Sequence, residues 1–192
     1  VTPDDIAARL LTADQANAMD ASGRVDAAVL IPLYWDGDEP VVVFTERHAD
    51  LRKHAGEISF PGGRQDPAEV LQHTALREAH EEIGLDPDDV RVLGALPPLG
   101  TFVSNFSIYP YVGALSPTTG PAARAWRLSE REVAQVLEFR LSDLAAAHQL
   151  ERLWSKGVPV RTSTFRMGEH LIWGATARIL HDFLRRVGSL RA

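Results

Sequence analysis

Three glutamates crowd one short stretch of the chain: Glu78, Glu81 and Glu82. On a helix turning about 100° per residue, with Glu78 at zero, Glu82 falls near 40° and Glu81 near 300°, so all three carboxylates share an arc of about 100°. Ala75, Leu76, Ala79 and Ile83 fall between about 60° and 160°, a separate apolar face suited to packing on a sheet. Like charges at these spacings repel, each pair costing a helix about a few tenths of a kcal/mol. They also lie toward the negative C-terminal end of the helix dipole. A sequence selected for helix stability alone avoids this arrangement. A divalent cation relieves it, and clustered carboxylates suit hard Mg2+ or Mn2+. The bland alternative is a solvated acidic face. Pro61-Gly62-Gly63, just upstream, weighs against that, because it lets the backbone approach a ligand or a metal closely.

Arg77, beside Glu78, is spaced to pair with Glu81 four residues on and hold it in position. Glu69 has two readings: a helix-capping acid, three residues after Asp66, or a partner for Arg77. Asp66 as cap, Pro67 in the first helical position and Gly84 as terminator predict a helix over about 67–83. Upstream, Arg47, Arg52 and Lys53 place three positive charges within seven residues, with His48 and His54 beside them. Leading into the glycine loop, this stretch reads as an anion-binding flank, suited to phosphate groups. Its plain alternative is an ordinary solvated loop.

Gly63, five residues, Glu69, seven residues, Arg77-Glu78-Ala79, one residue, Glu81-Glu82, one residue and Gly84-Leu85 resemble a complete Nudix box over residues 63–85. Ala79 is smaller than the bulky aliphatic residue of the usual pattern. The resemblance implies an α/β/α sandwich around a mixed β-sheet, and Mg2+- or Mn2+-dependent hydrolysis of a nucleoside diphosphate linked to another moiety. By residue-by-residue transfer, Glu78 and Glu82 are the main metal ligands, Glu81 is a ligand or a base, and the Gly63 carbonyl is a further ligand. Glu78, Glu81 and Arg77 are the candidate catalytic residues. Thr45, Arg47, Arg52, Gly56 and Phe60-Pro61-Gly62-Gly63 resemble the additional motif of the coenzyme A pyrophosphatase branch, with Val43-Phe44 in place of a Leu pair and His48 in place of Ser. Ile172-Trp173-Gly174-Ala175-Thr176-Ala177 is similar to that branch at its last helix.

The branch resemblance implies a small-molecule nucleotide substrate of the coenzyme A class, with Arg47, Arg52, Lys53, Gly62 and Gly63 as substrate-binding residues. The products are 3′,5′-ADP and 4′-phosphopantetheine or its acyl form. The proton acceptor stays open between Glu81, Glu78 and a later acid, Glu130 or Glu132, for which N-terminal acids of a helix after Ser129 is the slightly favoured reading. Other nucleoside diphosphate derivatives (ADP-ribose, NADH, an oxidised nucleotide) and a non-catalytic nucleotide-sensing role are the competing functions.

These residues need a scaffold, and the chain has the length for one. Its 192 residues suit one domain, and 45% hydrophobic with 24% charged residues is an ordinary globular balance. The net charge of −6 argues against a nucleic-acid partner. The absence of cysteine excludes disulfides, thiolate metal sites and a cysteine nucleophile. With no apolar run of membrane length and no signal-peptide pattern, the expectation is a cytoplasmic protein without a membrane partner. The pattern predicts a helix over about 3–18, outside the region of resemblance and a candidate homodimer contact. It predicts a hairpin of strands 26–35 and 40–45 around Asp36-Gly37-Asp38, with Pro32 marking an edge or a bulge. Further strands are expected at 90–97, 107–115, 159–166 and 169–172. A loop is expected over 116–123, with helices at 141–148 and 173–187. Trp35, Trp126, Trp154 and Trp173 read as core or interface residues rather than stacking platforms, and His73 and His80 as surface residues.

Overall fold

The computed structural model describes residues 1–49, 56–101, 105–116, 125–155 and 158–188. The expected hairpin is present. β1 (Val25–Asp36) and β2 (Glu39–Arg47) pair antiparallel, with Asp36 opposite Glu39. Beyond the Leu33–Val42 pair the two strands splay, and the segment 58–64 occupies the fork. Its first part, β3 (Ile58–Ser59), pairs with β2, and its second, β4 (Gly62–Arg64), pairs with β1. Between them the Leu30 N–H donates to the Pro61 carbonyl at 2.9 Å.

Outside the fork, β1 runs parallel to β7 (Phe106–Leu115), and β5 (Val90–Ala95) and β6 (Leu99–Gly100) lie antiparallel along the far side of β7. β8 (Val133–Arg140) covers the outer edge of β2. The result is a mixed eight-stranded sheet. A second, antiparallel sheet of three strands has the order β11 (His170–Ile172), β10 (Val158–Met167), β9 (His148–Ser155).

Strand alternation divides the core between two faces. Ala28, Leu30, Tyr34, Val41, Val43 and Tyr111 meet Ala75, Ala79 and Ile83 of α3 (Leu71–Ile83). Ile31, Leu33, Val42, Phe44 and Val112 meet Leu144 of α4 (Leu141–Ala147), Phe165 of β10, and Ile179, Leu180, Phe183 and Leu184 of α5 (Gly174–Arg186). This is the expected α/β/α sandwich. The apolar face read from residues 75–83 is the one that packs, and each fully buried Leu or Ile there contributes about 1.5–3 kcal/mol.

Four local expectations are corrected. The N-terminal helix is two short helices, α1 (Pro3–Ala7) and α2 (Ala13–Asn17). Leu11 is drawn out between them to exchange backbone hydrogen bonds with Ala95, at 3.0 and 2.9 Å, and Thr12 restarts the helix with a capping box to Gln15. Ile6 and Ala16 are buried against the chain's own sheet. Pro32 lies in a central strand without a bulge. The Leu30 N–H points into the fork, so the nitrogen two residues on does too, where β1 has left β4 and not yet met β2. The third correction is the start of α3, four residues late at Leu71 with no side-chain cap, because Ala68 has φ of 65° and breaks the approach. Last, Ser129 opens a turn into β8 rather than a helix. Strands β8 and β9 were not foreseen, and most of the 116–123 loop lies outside the described residues.

Candidate functional site

The fork places the glycine loop beneath α3. Gly62 donates its N–H to Glu82 Oε2 at 3.3 Å, and a Cβ at Gly63 would overlap the Glu78 carboxylate. Gly84, at φ of 69°, ends the helix with two backbone bonds to its last turn. The expected acidic arc is therefore real, but its members are unlike one another.

Glu82 has a side chain only 6% exposed. Burial pushes its pKa up to about 8, with the Gly62 N–H and Arg47 pulling down and Glu78 and Glu132 pushing up. Glu78 is raised too, by burial first, against the attraction of Arg77. Glu81 is 57% exposed.

Arg77 is the hub. Its Nε and Nη2 donate to the two oxygens of Glu69 at 3.0 and 3.2 Å, Nη2 also to the Arg64 carbonyl at 3.2 Å, and Nη1 to Glu78 at 2.9 Å and Glu81 at 3.3 Å. Glu69 thus takes the pairing role. Hydrogen bonding to Arg77 is the largest cause of its pKa falling to about 2, opposed by burial and assisted by the Thr74 hydroxyl and the Asp66 N–H. The same pairing raises Arg77. Thr74 is a residue that sequence reading missed: its hydroxyl donates to Glu69 at 2.7 Å, and nothing in its spacing signals that role.

Of the basic flank, Arg47 reaches the cluster. It lies 4.0 Å from Glu82 and 3.6 Å from Glu132. Arg52 and Lys53 lie outside the described residues. Glu132 arrives because the strap before β8 is tied to the end of α3, with Ser129 N–H donating to the Glu82 carbonyl at 2.9 Å and Arg127 N–H to Ile83 at 3.1 Å. Glu130 makes no ion pair with the cluster among the described residues. Phe44, which replaces a leucine of the branch motif, stacks on Phe60 at 4.8 Å, and Thr45 Oγ1 bonds the Ser59 carbonyl, so the departure packs the fork. Trp126 and Trp35 are spent on Glu138 and the Val1 carbonyl, whereas Trp173 is exposed ahead of α5. The side chain of Trp154 lies outside the described ones. His80 is within 3.3 Å of the Leu85 carbonyl and points away from the arc.

Among the described residues, no three His, Asp or Glu side chains stand together as a ready cage for an ion. Arg77 lies across Glu78 and Glu81, and Arg47 faces Glu82. The donor set nevertheless fits a hard divalent cation. It is all oxygen, it includes a buried carboxylate with raised pKa, and the space beside Glu78 exists only because residue 63 lacks a Cβ.

The sequence profile of the NUDIX domain matches residues 24–158. A protein of Enterobacter sp. (strain 638), described as an uncharacterised Nudix hydrolase NudL, is 34% identical over 192 residues, covering 98% of this chain and 96% of that one. Its counterpart from Citrobacter koseri is 36% identical over 193 residues with the same coverage. Among solved structures, a MutT/nudix family protein from Enterococcus faecalis superposes with a TM-score of 0.57 at 14% identity, covering 91% of this chain and 66% of that one. A C. elegans Ap4A hydrolase binary complex superposes at 0.50 with 20% identity, covering 62% and 82%. At these identities the structural likeness concerns the fold.

Proposed function

The chain belongs to the Nudix family, and from that premise we propose that this pyrophosphohydrolase cleaves coenzyme A and its thioesters at the pyrophosphate, releasing 3′,5′-ADP and 4′-phosphopantetheine or its acyl form. Nudix enzymes act on nucleoside diphosphate derivatives and generally use divalent ions such as Mg2+ or Mn2+. The observation that carries the narrower reading is the continuous run from Thr45 to Gly63. Its spacing is that of the coenzyme A branch motif, and its last four residues fill the fork beside the box helix. The reading treats residues 1–192 as one working unit, which the core shared by both sheets and α5 supports. It places the enzyme in the cytoplasm. No helix among the described residues is long and apolar enough to cross a membrane.

Glu78 and Glu82, with Glu81 and the Gly63 carbonyl, would hold the metal. When bound, it neutralises diphosphate charge and lowers the pKa of water at the site. Gly62 orients Glu82 through its N–H, and Arg77 fixes Glu78 and Glu81 relative to each other. Of the candidate proton acceptors, Glu132 at 51% exposure, and Glu81 at 57% where it is not a ligand, have the solvent access that supports this role. Arg47, Arg52 and Lys53 supply positive charge for the phosphates.

The test is a panel of coenzyme A, acyl-coenzyme A, ADP-ribose, NADH and oxidised nucleotides under Mg2+ and Mn2+, with products identified by mass. Coenzyme A should give 3′,5′-ADP, and its absence would refute the substrate assignment. Glu82→Gln should lower kcat by about 100-fold or more. Wild-type turnover in that variant would instead refute the metal assignment.

A further inference from the structure

Arg47 and Arg77 sit in the same acidic neighbourhood and are held in different ways. Arg77 uses Nε and both terminal nitrogens in hydrogen bonds of 2.9 to 3.3 Å. Arg47 has its terminal nitrogens 4.0 Å from Glu82 Oε1 and 3.6 Å from Glu132 Oε2, beyond good hydrogen-bond range. Its Nε is buried and has no hydrogen-bond partner among the described residues. Charge holds this guanidinium, and donor geometry does not.

The backbone aims it there. The β2–β8 register passes from Glu46 opposite Gln135 to Arg47 opposite Val133, leaving an extra residue in β8. Such a bulge re-aims the side chain beside it. Arg47 N–H is tied to the Glu57 carbonyl at 3.1 Å and His48 N–H to the Glu132 carbonyl at 3.2 Å. The guanidinium is thereby set between the buried acid of α3 and the acid of the strap.

We propose that Arg47 is a built-in counter-cation of the carboxylate cluster, which holds Glu82 and Glu132 in the metal-free protein and gives way when a divalent ion enters. The inference rests on the metal-dependent reading above. Glu78, Glu82 and Glu132 crowd one another, and a positive charge set among them offsets their mutual repulsion, so Arg47 stabilises the metal-free fold. The same charge repels an incoming cation, so Arg47 also weakens metal binding. Once displaced, its unsatisfied donors, Nε included, are released to the phosphate oxygens of the substrate. One residue therefore balances charge before loading and recruits charge after it.

Arg47→Gln and Arg47→Lys in the full chain test this. Free Mn2+ is followed by electron paramagnetic resonance during titration, and thermal midpoints are measured in EDTA and in saturating Mn2+. Arg47→Gln should bind Mn2+ more tightly by on the order of tenfold. It should melt earlier than wild type in EDTA, and its midpoint should rise further on adding Mn2+. Arg47→Lys, which keeps the charge, should stay close to wild type in all three. Unchanged or weaker Mn2+ binding by Arg47→Gln overturns the proposal and leaves the metal reading standing. A wild-type protein that binds no Mn2+ overturns both. If Arg47→Gln does not fold, the 15N spectrum of the wild type decides. The Nε–H resonance lost in Arg47→Lys should shift with Mg2+ at the binding midpoint, and a resonance indifferent to Mg2+ overturns the proposal.

Discussion

Gly62 and Gly63 are neighbours, yet a methyl group at each meets a different obstacle. At Gly63 it meets the far end of the Glu78 side chain, which can swing away. At Gly62 it meets the backbone of Ala28 and Val29, which cannot. Gly63→Ala should fold with near wild-type stability and, if Glu78 holds the metal as proposed, lose turnover by about 100-fold. Gly62→Ala should lose about 1–3 kcal/mol of stability, as overpacking does. Urea denaturation beside steady-state kinetics separates the two. Glu69 yields a pH prediction. Its pKa falls from 4.5 to about 2 on folding, chiefly through Arg77, so the unfolded chain binds its proton more readily. The stability it contributes is complete above pH 4.5 and is lost as pH falls from 4.5 toward 2. Glu69→Gln should therefore be less stable than wild type at pH 7, and the gap in urea midpoint should close on acidification. A gap that stays constant from pH 7 to 3 would contradict the ion-pair role.

Among the elements, α3 shows what sequence pattern resolves and where it stops. The apolar and acidic faces of 75–83 were legible because both follow the helical period, and Gly84 because only a left-handed terminator fits there. The start was misplaced because Asp66-Pro67 carries the letters of a cap while Glu69 is committed to Arg77, a partner eight residues away. β8 and β9 escaped because their exposed residues blur the alternation, as in the buried, exposed, exposed, half-buried opening of β8. The role of Glu132 was obscured with them, since it depends on the strap that precedes β8. The segment 58–64 depends on the stack of Phe60 on Phe44. Phe60→Ala should cost about 3–5 kcal/mol, and at temperatures where the variant stays folded it should reduce activity by loosening Gly62 and Gly63. Thermal melts and residual kcat check both parts.

For the whole molecule, composition made a globular core legible, the succession of strand and helix patterns made the α/β class legible, and the box made the hydrolase family legible. The fork was not, because it joins residues far apart in the chain by backbone pairing that no local pattern encodes. Net charge acts at this scale as well. Of the excess behind the −6, much sits in residues 63–86, which hold six acids and two bases. A divalent ion that binds only the folded chain raises its stability by about 2.7 kcal/mol at a hundredfold excess over Kd. Mg2+ should accordingly raise the thermal midpoint and EDTA reverse the rise, whereas an equal ionic strength of NaCl should not reproduce it. Equal effects of the two salts would reduce the cluster to a screened acidic surface.

The fork also bears on the order of folding. β1 and β2 are joined by a tight turn, and hairpins of that kind close in about 1–10 μs. The parallel pairing of β1 with β7 sets Val25 beside Phe106, some 80 residues away in the chain, and long closures of this sort are slow. The hairpin, the 58–64 segment and α3 are consecutive in sequence and need no help from β7 to meet. The half of the molecule that bears the carboxylates can therefore assemble first, and destabilising changes in it should slow folding, whereas changes in α5 should chiefly speed unfolding.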